Sequence, residues 1–243
     1  MELRDRVALI TAGSGGLGSV TACMLADEGV HVAVTHRGHR NEGLDVCRQI
    51  EKKGRKSLLV HLDQTDPASC GGAVEATIEA LGRLDIPINN AAWNDAVPLH
   101  DLDSLTPEIW DRALDTNLRG PLLMTRAAAP HLRQEHQGRV ANVSGIPGLA
   151  PMGSIALAVS QAGLIHLTRC LALALAPSIT VNCVAPGLIE GTRMSARVAA
   201  LRDQAALKRT TSPEDVARQI VLFCRSDSIT GQTQVVDSGV VFH

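Results

Sequence analysis

The sequence predicts a single α/β domain, a doubly wound parallel sheet flanked by helices on both faces. Three observations carry this. Short β-branched runs recur along the 243 residues, with helix-length segments between them. Each run is almost continuously apolar, as a strand covered by helices on both faces must be. The alternation of strand and crossover helix gives a parallel sheet. The length suits one domain with a large core. No linker, repeat or low-complexity segment divides it, so 1–243 is read as one unit.

The expected strands are, in order, RVALIT (6–11), HVAVTH (31–36), SLLVHL (57–62), LDIPINN (84–90), RVANVS (139–144), ITVNCVA (179–185) and TQVVD (233–237). Amphipathic or Ala/Leu-rich segments of helical length lie between them. Pro87 falls in the fourth, central run, where a missing N–H removes a ladder bond and implies a local bulge. Residues 188–212 follow a Pro-Gly pair, are polar and Ala-rich, and are read as a substrate lid.

Composition narrows the function classes. The chain is 45% hydrophobic and 20% charged, which fits a globular protein. A formal net charge of −2 offers no electrostatic footprint for nucleic acid. The charged start, MELRDR, does not read as a signal peptide. The most apolar helical stretch, around CLALALA, reads as too short and too interrupted to span a bilayer, so no membrane partner is expected. Six cysteines are scattered without a CxxC pair or a partnering histidine cluster. Reduced thiols in a cytoplasmic protein are therefore expected, with no disulfide framework and no metal site.

The first strand ends in TAGSGGLG, Thr11 to Gly18, and a helix follows. Small residues let a backbone turn tightly and approach a pyrophosphate, and the helix N-terminus presents unpaired N–H groups to the anion. This assigns Gly13, Ser14, Gly16, Leu17 and Gly18 to cofactor binding. An acidic residue at the end of the second strand would bind the adenosine ribose hydroxyls. Here His36 stands at that place and Arg37 follows. A guanidinium matches a phosphate in geometry, so NADP(H) is favoured over NAD(H). The competing reading is a solvated loop of Arg37, His39 and Arg40.

At this point the chain resembles the classical short-chain dehydrogenase/reductase family, with its Rossmann-like fold, over essentially its whole length. TAGSGGLG resembles the family's TGxxxGxG, with Ala12 in place of the first glycine. HLDQTD resembles the end of the third strand and implies Asp63 beside the adenine. NNAA, Asn89 to Ala92, resembles NNAG, with Ala92 replacing the glycine, and adds Asn90 to the cofactor site. DTNLRGPLLMTRAAAPHL carries Asn117, implied as the structural and catalytic asparagine. GRVANVSG resembles the strand bearing the catalytic serine. ITVNCVAPGLIEGTRM resembles the segment covering the nicotinamide and implies roles for Pro186, Gly187 and Thr192. GQTQVVDSG resembles the last strand. The resemblance also implies a homo-oligomer, a tetramer or a dimer, acting on a small molecule.

The family's chemistry uses tyrosine and lysine spaced YxxxK on one helix, with a serine polarising the substrate. Aligning QAGL with the family's KAGx places Leu157 at the tyrosine and Gln161 at the lysine. The chain contains no tyrosine at all. An ungapped reading puts Gly145 at the serine position, with Ser144 one residue before it and available after a local shift. Leu157 transfers no proton; Gln161 still hydrogen-bonds a ribose hydroxyl without charge.

Three readings stay open. The first is an NADP(H)-dependent oxidoreductase with a non-standard site, acting on an iminium-like or other preactivated acceptor, or on an apolar carbonyl. Its substitute donors would be His100, Asp95, Ser144, Ser154 or Ser160. The second is a non-redox isomerase, lyase or cyclase, with an apolar pocket formed by Leu157, Ile146, Pro147, Leu149, Pro151, Met152 and Trp93. The third is a catalytically silent subunit, in which the small residues of LAVSQAGLIHLTRCLALALA pack against a partner.

Overall fold

The computed structural model describes residues 1–134, 137–189 and 202–242. All seven expected strands are present. They are β1 (Val7–Ile10), β2 (His31–His36), β3 (Ser57–His61), β4 (Ile86–Asn89), β5 (Gly138–Val143), β6 (Ile179–Pro186) and β7 (Thr233–Val236). They form one parallel sheet in the order β3-β2-β1-β4-β5-β6-β7. The order reverses between β1 and β4. In such a sheet the crevice beyond the carboxyl ends at this switch point is where ligands bind.

Helices α1 (Gly16–Asp27), α2 (Arg40–Lys52) and α7 (Pro213–Arg225) cover one face; α3 (Pro67–Leu81), α5 (Gly120–Gln134) and α6 (Ile155–Leu175) cover the other. A short α4 (Pro107–Leu114) runs through a π-turn, Asp115–Arg119, into α5. Successive strand residues face opposite layers. Thus Ala8 and Ile10 pack with Leu25, Ile50 and Ile220, while Leu9 packs with Val74, Met124 and Leu132. Burial of each such Leu or Ile is worth about 1.5–3 kcal/mol.

Three helix starts, those of α3, α4 and α7, carry a capping residue followed by proline. Asp66 accepts from Ala68 N at 2.9 Å and Ser69 N at 3.2 Å ahead of α3. Ser212 accepts from Asp215 N at 3.0 Å ahead of α7. The oxygen satisfies an orphan N–H of the first turn, and proline there forfeits none.

At the amino end of β4, Asp85 is fully buried. Its carboxylate accepts from Arg6 Nη1 at 2.9 Å, Arg83 Nη2 at 2.7 Å, Arg83 Nε at 2.8 Å and Val7 N at 2.9 Å. This ties β1 to β4 below the crevice.

Two expectations are corrected. Pro87 makes no bulge: Ile86, Pro87 and Ile88 pair consecutively with Ala8, Leu9 and Ile10. Pairing with β5 begins only at Ile88, so the missing donor shortens that ladder and leaves the strand straight. The apolar helix is not too short. α6 has 21 residues and is long and apolar enough to cross a membrane by length and composition. It is nonetheless a core element, packed on β6, and its buried face is tied in by Ser160 and Thr168, which bond to Asn117 and Asn142.

The expected lid, 188–212, is described only at its ends; residues 190–201, Thr192 among them, lie outside the described residues. The ends meet. Ile189 bridges Thr211, Thr211 N donates to Leu188 O at 3.0 Å, and Gly187 N donates to Val236 O at 2.8 Å. The segment therefore leaves and rejoins the fold at one place, above the carboxyl ends of β6 and β7.

Candidate active site and cofactor cleft

The glycine loop is shaped by close approaches. A Cβ on Gly18 would lie 2.4 Å from Ala12 O, and one on Gly13 would lie 3.1 Å from Ile10 O. Gly16 has φ +51, and Ala12 holds φ +50, a left-handed conformation that alanine tolerates poorly. Cross-links fix this shape. Asn90 Nδ2 donates to Thr11 O at 2.9 Å and Ala12 O at 3.3 Å. Asn90 N and Ala91 N both donate to Thr11 Oγ1 at 2.9 Å. Ser14 and Leu17 are buried beneath the loop. Asn90, expected at the cofactor, thus also clamps β1 to β4. The cap residue of α1, Gly15, brings no side chain to the helix's first N–H groups.

Beside the loop, at the switch point, opens a cleft of ≈ 210 Å³. Ala12, Thr35, His36, Arg37, Gln64 and Trp93 line it, with Leu62, Ala91, Ala92 and Thr116. Three of these residues hold buried polar atoms without a hydrogen-bond partner: His36 Nδ1, Gln64 Oε1 and Thr116 Oγ1. Buried polar atoms are normally satisfied, and each orphan costs about 1–3 kcal/mol. Three in one cleft suit a ligand rich in hydroxyls and amines. A narrow glycine turn, an uncapped helix start and these orphans fit a dinucleotide.

Arg37 is half-exposed at the cleft's end, with Nη1 3.9 Å from Asp63 Oδ2. The Asp63 carboxyl is held below its usual range, mainly by hydrogen bonds from the Thr65 hydroxyl and N–H. His36 is shifted toward its neutral form. Burial first, then His61, Arg40 and His39, lower its pKa.

Asn117 sits in the π-turn and is almost fully buried. Its Oδ1 accepts from Trp93 N at 2.7 Å, and its Nδ2 donates to Trp93 O at 2.8 Å and Ser160 Oγ at 3.0 Å. Ser160 Oγ donates onward to Leu157 O at 3.0 Å. The asparagine thus grips the stretch after β4 and the helix bearing Leu157 together. The Trp93 ring is capped by the Arg112 guanidinium, 4.5 Å from its centroid.

Leu157 is buried in the first turn of α6. Gln161, one turn on, is buried with Oε1 unpartnered. Ser144 is buried, and its hydroxyl donates to Gln161 O at 3.1 Å, so it is held by backbone. Gly148 lets this segment touch α6, where a Cβ would meet Gln161 C at 2.7 Å. Ser154 caps α6 through Leu157 N and donates to Asn94 Oδ1 at 2.8 Å.

Asp95 and His100 lie exposed on the irregular stretch after β4. Of the residues expected to form an apolar pocket, Trp93 lines the cleft, Ile146 and Leu157 are buried, and Pro151 is exposed. Pro186 and Gly187 close β6, and a Cβ on Gly187 would meet Asp237 Cα at 2.8 Å. The sequence reading missed Gln64 and Thr116. Both stand next to residues it named, Asp63 and Asn117, but a polar neighbour is not a signal until its atom is seen buried and unpaired.

The family model described as enoyl-(acyl carrier protein) reductase matches residues 11–241. The short-chain dehydrogenase/reductase FrzI of Cladobotryum sp is 33% identical over 256 residues, covering 99% of this chain and 97% of its own. Human dehydrogenase/reductase SDR family member 4 is 34% identical over 248 residues, covering 98% of this chain and 88% of its own. Among solved structures, a short chain dehydrogenase from Burkholderia cenocepacia in complex with NADP has a TM-score of 0.91 at 32% identity. It covers 99% of both chains. The glycine turn, the switch-point cleft and the buried asparagine thus occur in a chain that these likenesses span from end to end, and the chain belongs to the short-chain dehydrogenase/reductase family of oxidoreductases.

Proposed function

We propose that this chain is an NADP(H)-dependent oxidoreductase whose site works without the usual tyrosine and lysine. The observation that carries the reading is the cleft beside Arg37, with orphaned acceptors and donors on His36, Gln64 and Thr116. The NADP complex of the Burkholderia cenocepacia relative supports the same choice of cofactor. When bound, the cofactor gives or takes a hydride.

The chain's own residues then bind and orient. The N–H groups opening α1, over Gly13, Ser14, Gly16, Leu17 and Gly18, hold the pyrophosphate. Arg37 pairs with the 2′-phosphate, and Asp63 and Asn90 flank the adenosine. Gln161 Oε1 accepts from a ribose hydroxyl, and Pro186 and Gly187 border the nicotinamide. Asn117 positions Trp93 and α6.

No side chain at 157 donates a proton, and general acid catalysis is typically worth about 10²–10⁴ in rate. The substrate is therefore a small, apolar or preactivated acceptor, an iminium or a carbonyl needing little acid help. The exposed Leu122, Val159 and Leu173 on α5 and α6 support assembly with further copies of the chain. Six unpaired cysteines support a cytoplasmic setting.

The absent tyrosine and the backbone-bound Ser144 hydroxyl also favour a second reading, a non-redox enzyme or a silent subunit on this scaffold. Calorimetric titration with NADPH and NADH, then a search for deuterium from labelled NADPH in product, separates them. Tighter NADPH binding is expected. Arg37→Ala should weaken NADPH about ten- to a hundredfold, from the loss of a charged hydrogen bond of about 1.5–3 kcal/mol, and leave NADH nearly unchanged. Equal weakening of both refutes the role of Arg37. No binding of either by the folded protein leaves the silent or cofactor-free reading.

A further inference from the structure

The hydroxyls around Leu157 all point their protons inward. Ser144 donates to Gln161 O at 3.1 Å, Ser154 to Asn94 Oδ1 at 2.8 Å, and Ser160 to Leu157 O at 3.0 Å. All three serines are buried. A hydroxyl carries one proton, so each keeps only lone pairs for anything else. Asn117 is committed as well: the two N–H bonds of its Nδ2 go to Trp93 O and Ser160 Oγ. The chain has no tyrosine, and α6 carries no lysine. The Gln161 amide is one turn on, its Oε1 buried and unpaired. An amide holds an acceptor but does not surrender its proton. Among the described residues, the surroundings of Leu157 therefore offer acceptors and an amide, and no acid.

The stretch that leaves this place after Trp93 carries charge of one sign. Asn94 is tied to Ser154, and 94–111 holds Asp95, Asp101, Asp103, Glu108 and Asp111 with no lysine or arginine. His100 is its one basic side chain. The next cation, Arg112, is turned onto the Trp93 ring. Carboxylates along such a stretch raise the local concentration of cations.

We infer that the reacting group of the substrate is a preformed cation, an iminium carbon–nitrogen double bond, in preference to a carbonyl of the same shape. This rests on the redox reading above and narrows its substrate. Reduction of a carbonyl moves the π pair to oxygen and leaves an alkoxide, which then needs a proton from an acid. An iminium carbon accepts the hydride from the reduced nicotinamide, a carbon–hydrogen bond forms, and the π pair moves onto nitrogen. The cation becomes a neutral amine, the dinucleotide becomes its oxidised form, and no proton is exchanged. Lone pairs and carboxylates hold the substrate's charge, and the chain's remaining task is orientation.

The test uses the whole protein, NADPH and a set of cyclic N-methyl iminium ions, each paired with the ketone of the same ring frame. These ions stay charged at every pH. With the reaction in the absence of protein subtracted, the iminium ions should oxidise NADPH at least about a hundredfold faster than their ketones, the contribution of the missing general acid. Deuterium from labelled NADPH should appear at the former iminium carbon, with no solvent isotope effect. A second measurement is independent of reactivity. In calorimetry with tetrahydro-NADP, a cofactor analogue with no hydride to give, the iminium ions should bind about tenfold more tightly than the ketones, an advantage that shrinks as ionic strength rises. Ketones that are reduced at rates comparable to their iminium partners, or bound as tightly, overturn the inference and leave the redox reading standing. If NADPH binds and neither class is bound or reduced, the inference falls while the cofactor assignment stands. If NADPH itself does not bind, the redox reading falls and takes this inference with it.

Discussion

Gly18→Ala is the most demanding perturbation of the glycine loop. The new Cβ would lie 2.4 Å from Ala12 O, 2.8 Å from Asn90 Nδ2 and 2.9 Å from Gly13 Cα. An ordinary close carbon–oxygen approach is about 3.3 Å. The backbone atoms cannot swing aside, and Asn90 Nδ2 is held by Thr11 O and Ala12 O. Overpacking of this kind costs about 1–3 kcal/mol. Losing the weaker Asn90 bond adds about 1 kcal/mol. The total of about 2–4 kcal/mol lowers Tm by about 5–15 °C in a domain of this size.

Gly15→Ala, three residues earlier, is the control. Its backbone is extended, with φ −161, and an added Cβ there meets nothing within 4 Å. It should stay within about 0.5 kcal/mol of the parent. Urea unfolding and differential scanning calorimetry on the two variants and the parent decide the matter. If Gly18→Ala lies within 0.5 kcal/mol of the parent, or Gly15→Ala falls as far, then packing does not explain the loop.

Three further outcomes follow from the same geometry. Asn117→Ala removes the bonds to Trp93 N, Trp93 O and Ser160 Oγ and should destabilise by about 2–4 kcal/mol in urea unfolding; an unchanged midpoint sinks the bridging role. Asp85→Asn removes the fully buried carboxylate that Arg6 and Arg83 meet and should cost about 3 kcal/mol, read by the same measurement. Leu157→Tyr together with Gln161→Lys should create or raise reduction of generic carbonyls by NADPH, followed by loss of its absorbance. A folded double variant that binds cofactor and reduces nothing in a broad panel shows that the site differs by more than these two positions.

The sheet was legible because its signals are local. Each strand is an apolar β-branched run, and caps such as Asp66-Pro67 mark where helices begin. Pro87 misled because the sequence does not say which neighbour a donor faces; the structure drops the pairing on the β5 side and keeps β1 in register. The length of α6 misled because Ser160, Gln161 and Thr168 look like interruptions in one dimension, whereas in three they are its anchoring face. The glycine loop was legible since close approach demands glycine by type. Gln64 and Thr116 were not, because an orphaned atom is a property of burial and partners, and neither is written in residue type. The role of Asn90 as a clamp on Thr11 and Ala12 likewise depends on a contact 79 residues away in sequence.

What distinguishes the kept from the changed positions is how much of the fold leans on them. Asn117 joins three segments, and Gly18 and Asn90 fix a loop, so their substitution strains the structure directly. Positions 157 and 161 are helix residues that an apolar or amide side chain occupies without disturbing α6. On the alignment proposed above, leucine and glutamine at the tyrosine and lysine positions bear on proton chemistry more than on the formation of α6. Gln161 complicates a purely silent scaffold, however. Its Oε1 is buried and unpaired, which costs the folded protein about 1–3 kcal/mol. An apolar residue of similar size would escape that cost. A ligand hydroxyl would remove it, and the same holds for the orphans on His36, Gln64 and Thr116. Four further buried atoms without a partner, on Asn89, Arg139, Thr180 and Thr233, lie away from the cleft lining, so the orphans accord with the proposed dinucleotide site and do not by themselves mark it.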